Sequence, residues 1–262
     1  MILLVAAWVF PGTLFAQQQQ SALTPSERAA LAPTETDIYC AGFFTHRSIE
    51  QGLFVLGGEE GGFKNEYSDR DILFLSQGRG WINAPGGQYM LIRPVRDIDP
   101  KEFFPGQQEL MVRLGTLYAE VARIEVRIVH ESSATAEVLA SCEPVLAGDI
   151  AIPLQTRPAP PYRSEQRVDR FAPPSGKATG VIVLGQDFRQ TLGPRHVVYL
   201  DVGSSQGAQV GGYLRIFQTP INQDSDLFQQ AARNYPTEAM GMRMGRKLTP
   251  ADLASLPRTV LG

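Results

Sequence analysis

Among 262 residues there are only two cysteines, Cys40 and Cys142, and three histidines, His46, His130 and His196. There is no CxxC pair, and no Cys/His spacing suits zinc, so the sequence offers no metal centre and calls for no cofactor. Charged residues make up 19% of the chain and the net charge is −3. Lysine and arginine are scattered, without the basic block that tracks a phosphate backbone, which argues against nucleic acid as a partner. Long apolar runs are also missing. The longest lies in the first ten residues, Met1 to Phe10, and is too short to span a bilayer. The mature chain is therefore expected to have no membrane span.

Pro11-Gly12 breaks that first run, and Ala16 supplies a small residue before the Gln17-Gln18-Gln19-Gln20 tract. This is the shape of a secretory signal over residues 1–16, although no Lys or Arg precedes the apolar stretch. The alternative is a buried N-terminal strand. Export to the periplasm or cell envelope is the expectation, and in that compartment an even cysteine count predicts a Cys40–Cys142 disulfide. Two buried free thiols are the alternative.

What the chain does have is glycine, 25 residues, and proline, 19 residues, set between short apolar runs in the manner of a turn-rich β protein. It also has internal repetition. Asp71-Ile72-Leu73-Phe74-Leu75 leads to Gly78 and then Gly86-Gly87, while His196-Val197-Val198-Tyr199-Leu200 leads to Gly203 and Gly211-Gly212 at the same spacing. Val55-Leu56-Gly57 is echoed within Gly180 to Gly185. Repetition of strands and glycine turns predicts a mainly β (α+β) chain of two small barrel-like or sandwich-like modules.

The expected boundaries follow. A polar lead over 17–37 carries a short helix opened by Thr24-Pro25-Ser26-Glu27, and the first β module spans 38–153. Within it, Ala119 to Asp149 reads as a hairpin. Ile124, Val126 and Ile128 alternate with Arg123, Glu125 and Arg127, which predicts one dry and one wet face. Six prolines between Pro153 and Pro174 mark a stiff linker over 154–177. The second module, 178–262, is expected to carry two short inserted helices, from Asp226 and from Thr249. Aligning Val260-Leu261-Gly262 with Arg113-Leu114-Gly115 predicts that this copy stops before its closing hairpin. That would leave a sheet edge for a strand-completing partner and expose Val198, Leu200, Leu214 and Ile216.

The run Gly87 to Arg96, the Leu114-Gly115 step, the Ala134 to Val145 strand and the Gly148-Asp149-Ile150-Ala151-Ile152-Pro153 turn resemble a β module of bacterial envelope proteins. That module follows LysM peptidoglycan-binding modules and is similar to the C-terminal domain of flagellar assembly protein T. No LysM segment precedes residue 38. The resemblance implies a periplasmic or cell-wall location and a scaffold without catalytic residues.

Motifs with chemical potential are few. Gly203-Ser204-Ser205-Gln206-Gly207 matches GxSxG, but no histidine follows His196 and a repeated turn explains the string. Ser175-Gly176-Lys177-Ala178-Thr179 lacks the upstream glycine and the following hydroxyl of a phosphate loop. Glu59, Glu60, Glu66, Asp69 and Asp71 could supply a carboxylate pair for glycoside hydrolysis, but a solvated loop is the simpler reading. Aromatic residues concentrate in the first module and are expected mostly in its core. Trp81, in the Gly78-Arg79-Gly80-Trp81 turn, is the candidate ligand contact for a sugar or partner. The leading expectation is thus a non-enzymatic scaffold that binds an envelope protein or peptidoglycan. A glycan-binding module using Trp81 and a cell-wall hydrolase using the loop carboxylates are the alternatives.

Overall fold

The computed structural model describes residues 32–96, 104, 106–160, 169–173, 175–189, 191–193, 195–218 and 258–261. The leader, the helix at Thr24 and the helices at Asp226 and Thr249 lie outside the described residues. Among those described, no helix is long and apolar enough to cross a membrane.

The chain is mainly β. It enters through a short helix, α1 (Glu35–Tyr39), closed by a capping box: Asp37 N–H donates to Thr34 Oγ1 and the Asp37 carboxylate accepts from Thr34 N–H. Ile38 and Tyr39, taken from sequence as the start of the first β module, are thus helical, and Cys40 is the helix C-cap and not a strand residue. There follow β1 (Phe43–Thr45), β2 (Val55–Gly58), β3 (Ile72–Leu75) and β4 (Gln88–Pro94), then α2 (Gln107–Leu114). β5 (Thr116–Val129), β6 (Ala134–Ser141) and β7 (Ile150–Pro153) complete a seven-stranded sheet ordered β2-β3-β6-β5-β4-β7, with β1 on β5. All of its pairings are antiparallel. The ladder is open, but its two ends are linked. Phe54 bridges Ile150, Val55 N–H donates to the Asp149 carbonyl at 2.9 Å, and Ala151 N–H donates to the Leu53 carbonyl at 2.9 Å.

β5 organises this unit. Over 14 residues it pairs β4 on one side, and β1 then β6 on the other. The hairpin expected from the alternating pattern is present, and Ile124, Val126, Ala134, Ala136 and Val138 are buried. The alternation fails at Ile128, which is 52% exposed, because a register shift between Val126 and Ile128 turns the following residue outward. The core is aliphatic: Leu73, Leu75, Leu91, Ile92, Val121 and Ile124 are fully buried. Each such side chain contributes about 1.5–3 kcal/mol by leaving water. Of the aromatic residues, Tyr39, Tyr67 and Tyr118 are buried and Phe43 and Tyr89 pack against the core, whereas Phe63, Phe74 and Trp81 are exposed. Phe74 faces outward because it alternates with the inward Leu73 and Leu75 on one short strand.

The Gly148-Asp149 turn has a physical reason. Gly148 sits at φ 93°, which suits glycine. The Asp149 carboxylate accepts from its own turn at Leu146 N–H, at 2.8 Å, and binds the Arg93 guanidinium of β4 through two bonds of 2.7 Å. That contact holds the Arg93 guanidinium above its ordinary pKa.

The later segment forms two separate strand pairs, β8 (Ile182–Gly185) with β9 (Val198–Leu200), and β10 (Phe217–Gln218) with β11 (Thr259–Val260). The repeat is visible in geometry. β2 and β3 pair as Val55↔Leu75, Gly57↔Phe74 and Gly58↔Leu73. β8 and β9 pair as Ile182↔Leu200, Leu184↔Tyr199 and Gly185↔Val198, so both pairs skip one residue at the same place. This matches Gly58 with Gly185, one residue away from the sequence echo. Trp81 N–H closes a turn on the Gly78 carbonyl at 3.1 Å, and Gln206 N–H closes one on Gly203 at 3.0 Å. Gly86 and Gly211 both take positive φ, 86° and 78°.

Phe217 lies opposite Val260 as Ile92 lies opposite Glu120. Val260 therefore corresponds to a β5 residue, and the expected alignment with Arg113-Leu114-Gly115, which forms the end of α2 and its cap, does not hold. The Pro-rich stretch expected as a stiff linker is bonded to the first unit where it begins. Leu154 N–H donates to the Gln88 carbonyl and Arg157 N–H to the Tyr39 hydroxyl, so its described start is held on the first unit.

Candidate functional site

The most elaborately bonded region lies where α1, the disulfide, β5 and the later strands meet. Cys40 and Cys142 form the expected disulfide, with Cα atoms 5.5 Å apart. Beside it on β5, next to the Val121 whose carbonyl accepts the Cys142 N–H, the Glu120 carboxylate is fully buried. It binds the Arg157 guanidinium through both oxygens and accepts the Gly42 N–H at 3.1 Å. Arg157 also donates to the Ile38 carbonyl and stacks over the Tyr39 ring at 5.3 Å, while Arg123 sits over the same ring at 4.9 Å. A buried carboxylate with all of these partners is a positioned structural charge, and it costs less than an unpaired one. No residue pattern announces it, because Glu120 and Arg157 are 37 residues apart in different predicted segments.

A cavity of about 290 Å³ adjoins this node, lined among others by Gly42, Glu120, Glu143, Asp187 and Tyr199. The Tyr199 hydroxyl donates to the Ala41 carbonyl at 2.6 Å and its ring meets Phe44 edge-on at 5.4 Å. Burial, and then the negative charges of Asp187, Glu120 and Glu143, push the phenol up to about 12. Gln186 Nε2 donates to the Cys40 carbonyl, and Gln107 Nε2 of α2 donates to the Val183 carbonyl of β8. The later strands are thus docked on the first unit by β8, β9 and the turn after β8.

Trp81 lies in its glycine-rich turn with 47% of its surface exposed, while its neighbour Ile82 is buried. The ring covers Gly52: a Cβ there would stand 2.3 Å from the indole edge. Trp81 is neither a core cap nor a free ring, and one side of it remains open to solvent.

The other sequence candidates are dispersed. Ser205 lies in a 3-10 turn and donates to the neighbouring Gln206 side chain. The turn repeats the one at Gly78, without the helix that a nucleophile elbow requires. Asp69 accepts the Ser141 N–H and hydroxyl, which hold its carboxyl below the usual range. For Asp71, burial pushes upward, but bonds from Lys64 and Ser68 pull the carboxyl below it. Glu59, Glu60 and Glu66 are exposed. His46 meets the Arg113 carbonyl, His130 the Thr135 hydroxyl and His196 the Gly193 N–H. Ser175 to Lys177 is an exposed loop. Among the described residues, no cluster of three or more His, Cys, Asp or Glu side chains could hold a metal ion.

Compared with known proteins, the chain matches no family model, no curated protein and no solved structure.

Proposed function

We propose that this chain is an exported, non-enzymatic cell-envelope protein that acts as a scaffold, built from a barrel-like first module and a related second one. The observation that carries the reading is the Cys40–Cys142 disulfide beside the buried Glu120–Arg157 pair. A disulfide persists in oxidising compartments such as the periplasm and is rare in the cytosol. One further feature supports it: of the five loop carboxylates a hydrolase could draw on, Asp69 and Asp71 are engaged by Ser141 and by Lys64 and Ser68.

The partner is an envelope protein or the cell wall, as the resemblance to the β module of LysM-associated proteins and of flagellar assembly protein T suggests. Among the described residues β9 pairs only with β8, which leaves an edge that a partner strand would complete. The second reading, a glycan-binding module, is favoured by one observation, the half-exposed Trp81 ring whose edge covers Gly52. Full-length protein immobilised through a tag, offered envelope extract in one arm and purified peptidoglycan in the other, separates the two. Capture of a defined envelope protein with no retention on peptidoglycan supports the scaffold. Retention on peptidoglycan that Trp81→Ala abolishes establishes the glycan reading instead, and turnover of peptidoglycan by the purified protein refutes the non-enzymatic one.

A further inference from the structure

The bonds that seat β8 and β9 on the first unit converge on one short stretch. Gln186 Nε2 donates to the Cys40 carbonyl at 2.7 Å, and the Tyr199 hydroxyl donates to the Ala41 carbonyl at 2.6 Å. The Tyr199 ring then meets Phe44 edge-on at 5.4 Å. One further bond comes from α2, where Gln107 donates to the Val183 carbonyl at 2.8 Å.

The receiving stretch belongs to no strand ladder, since it lies between the end of α1 and the start of β1. Gly42 is held by the Glu120 carboxylate, and Phe43 by its pairing with Tyr118. The Cys40 and Ala41 carbonyls, which take the two bonds, are placed from the other side by the disulfide to Cys142. Cys142 is itself fixed on the sheet, its N–H donating to the Val121 carbonyl at 2.7 Å. The docked turn, in contrast, is strained. Asp187 and Phe188, directly after Gln186, take φ of 57° and 56°. Such values are uncommon outside glycine and persist only while the surroundings impose them. Both cysteines are partly exposed and line the cavity of about 290 Å³ at this junction, which gives a small reductant a route to them.

We infer that the Cys40–Cys142 disulfide is a redox latch for the later strands. A small dithiol opens it by exchange: one thiolate attacks the first sulfur and expels the other cysteine, and the second thiol then resolves the mixed disulfide. Two electrons and two protons pass to Cys40 and Cys142, which end as thiols, while the dithiol leaves as its own disulfide. The Cys40 and Ala41 carbonyls then lose their fixed positions, the strained turn relaxes, and β8–β9 departs from the first unit. Val183 and Leu184, buried in the docked state, are uncovered. Excess of a small disulfide reverses the exchange and redocks the pair. The latch works whether or not the chain is exported, provided that a dithiol and a disulfide both reach it.

Amide exchange of the purified full-length protein, read by mass spectrometry with and without dithiothreitol, tests it. On reduction the β8–β9 amides should exchange about tenfold faster or more, well ahead of the β5–β6 hairpin. Dialysis into oxidised glutathione should restore their protection. The Gln186→Ala/Tyr199→Phe variant loses both bonds with the disulfide intact, and should show the fast exchange without reductant. Four results overturn the proposal: β8–β9 that stays protected once both thiols are free, a rise of equal size through β5–β6, protection that oxidation does not restore, or a double variant that exchanges like the wild type.

Discussion

Leu56 and Val183 occupy the same bulge position in two matching strand pairs, yet Leu56 is 53% exposed and Val183 is 1% exposed. The difference comes from what each pair packs against, since α2 and β1 of the first unit cover the later pair. The same comparison holds along the next strands. Leu91 is fully buried between β5 and β7, while its counterpart Ile216 is 46% exposed. Apolar residues of similar kind thus become core or surface according to what packs against them, which no local pattern encodes.

The docking of the later strands should loosen in alkali. The Tyr199 phenol is raised from its ordinary value of 10.0 to about 12, so the folded state holds its proton more tightly than the unfolded one. Its contribution is complete below pH 10 and is lost as pH rises through about 12. Fluorescence or amide exchange of the β8–β9 segment across that window should show release, and Tyr199→Phe should remove the hydroxyl's share of the pH dependence. Release at the same pH in both proteins would contradict this assignment.

Arg157→Ala leaves the Glu120 carboxylate buried with only the Gly42 N–H for support. Stripping the partner from a buried charge costs about 3–5 kcal/mol. Urea unfolding should show a loss of that order, and Glu120→Gln in the Arg157→Ala background should recover part of it. An unchanged midpoint for Arg157→Ala would show that the pair carries little.

Gly52→Ala should displace Trp81, because the new methyl would stand 2.3 Å from the indole edge. Tryptophan emission should shift red as the ring moves into water, and stability should fall by about 1 kcal/mol or more, the ordinary cost of overpacking. Combining it with Trp81→Ala should erase most of that loss. A spectrum identical to the wild type would mean that the ring does not rest on Gly52.

Much of the fold was legible from residue patterns: the β5–β6 hairpin from alternation, the Gly148-Asp149 turn from glycine, and the repeat from spaced glycines. α2 was missed, although Gly115 at φ 94° immediately after Leu114 is the ordinary stop signal of a helix. The inward and outward sense of Ile128 was misread because a bulge shifts the register without any residue that announces it. The Glu120–Arg157 node was invisible for a different reason. Its members come together only through tertiary folding, and each alone looks like a surface charge. The disulfide was readable only as a pairing of the two available cysteines in an exported chain, and its place at the junction of the two units was not.

Removal of the disulfide should weaken the first unit strongly. Cys40 and Cys142 are 102 residues apart, and for a loop of that size the chain-entropy account gives about 4–5 kcal/mol. The Cys40→Ala/Cys142→Ala protein should melt lower by thermal unfolding, with the same strand content by circular dichroism. Equal melting temperatures for the two proteins would show that the cross-link adds nothing to a unit already held by β5.

The most direct test of an exported scaffold is the state of these two cysteines where the protein resides. Cells are quenched in acid, fractionated and alkylated before reduction, and the peptides containing Cys40 and Cys142 are read by mass spectrometry. The expected result is protein in the periplasmic or envelope fraction with both cysteines joined and unalkylated. Protein in the cytosolic fraction with both cysteines alkylated would contradict the account.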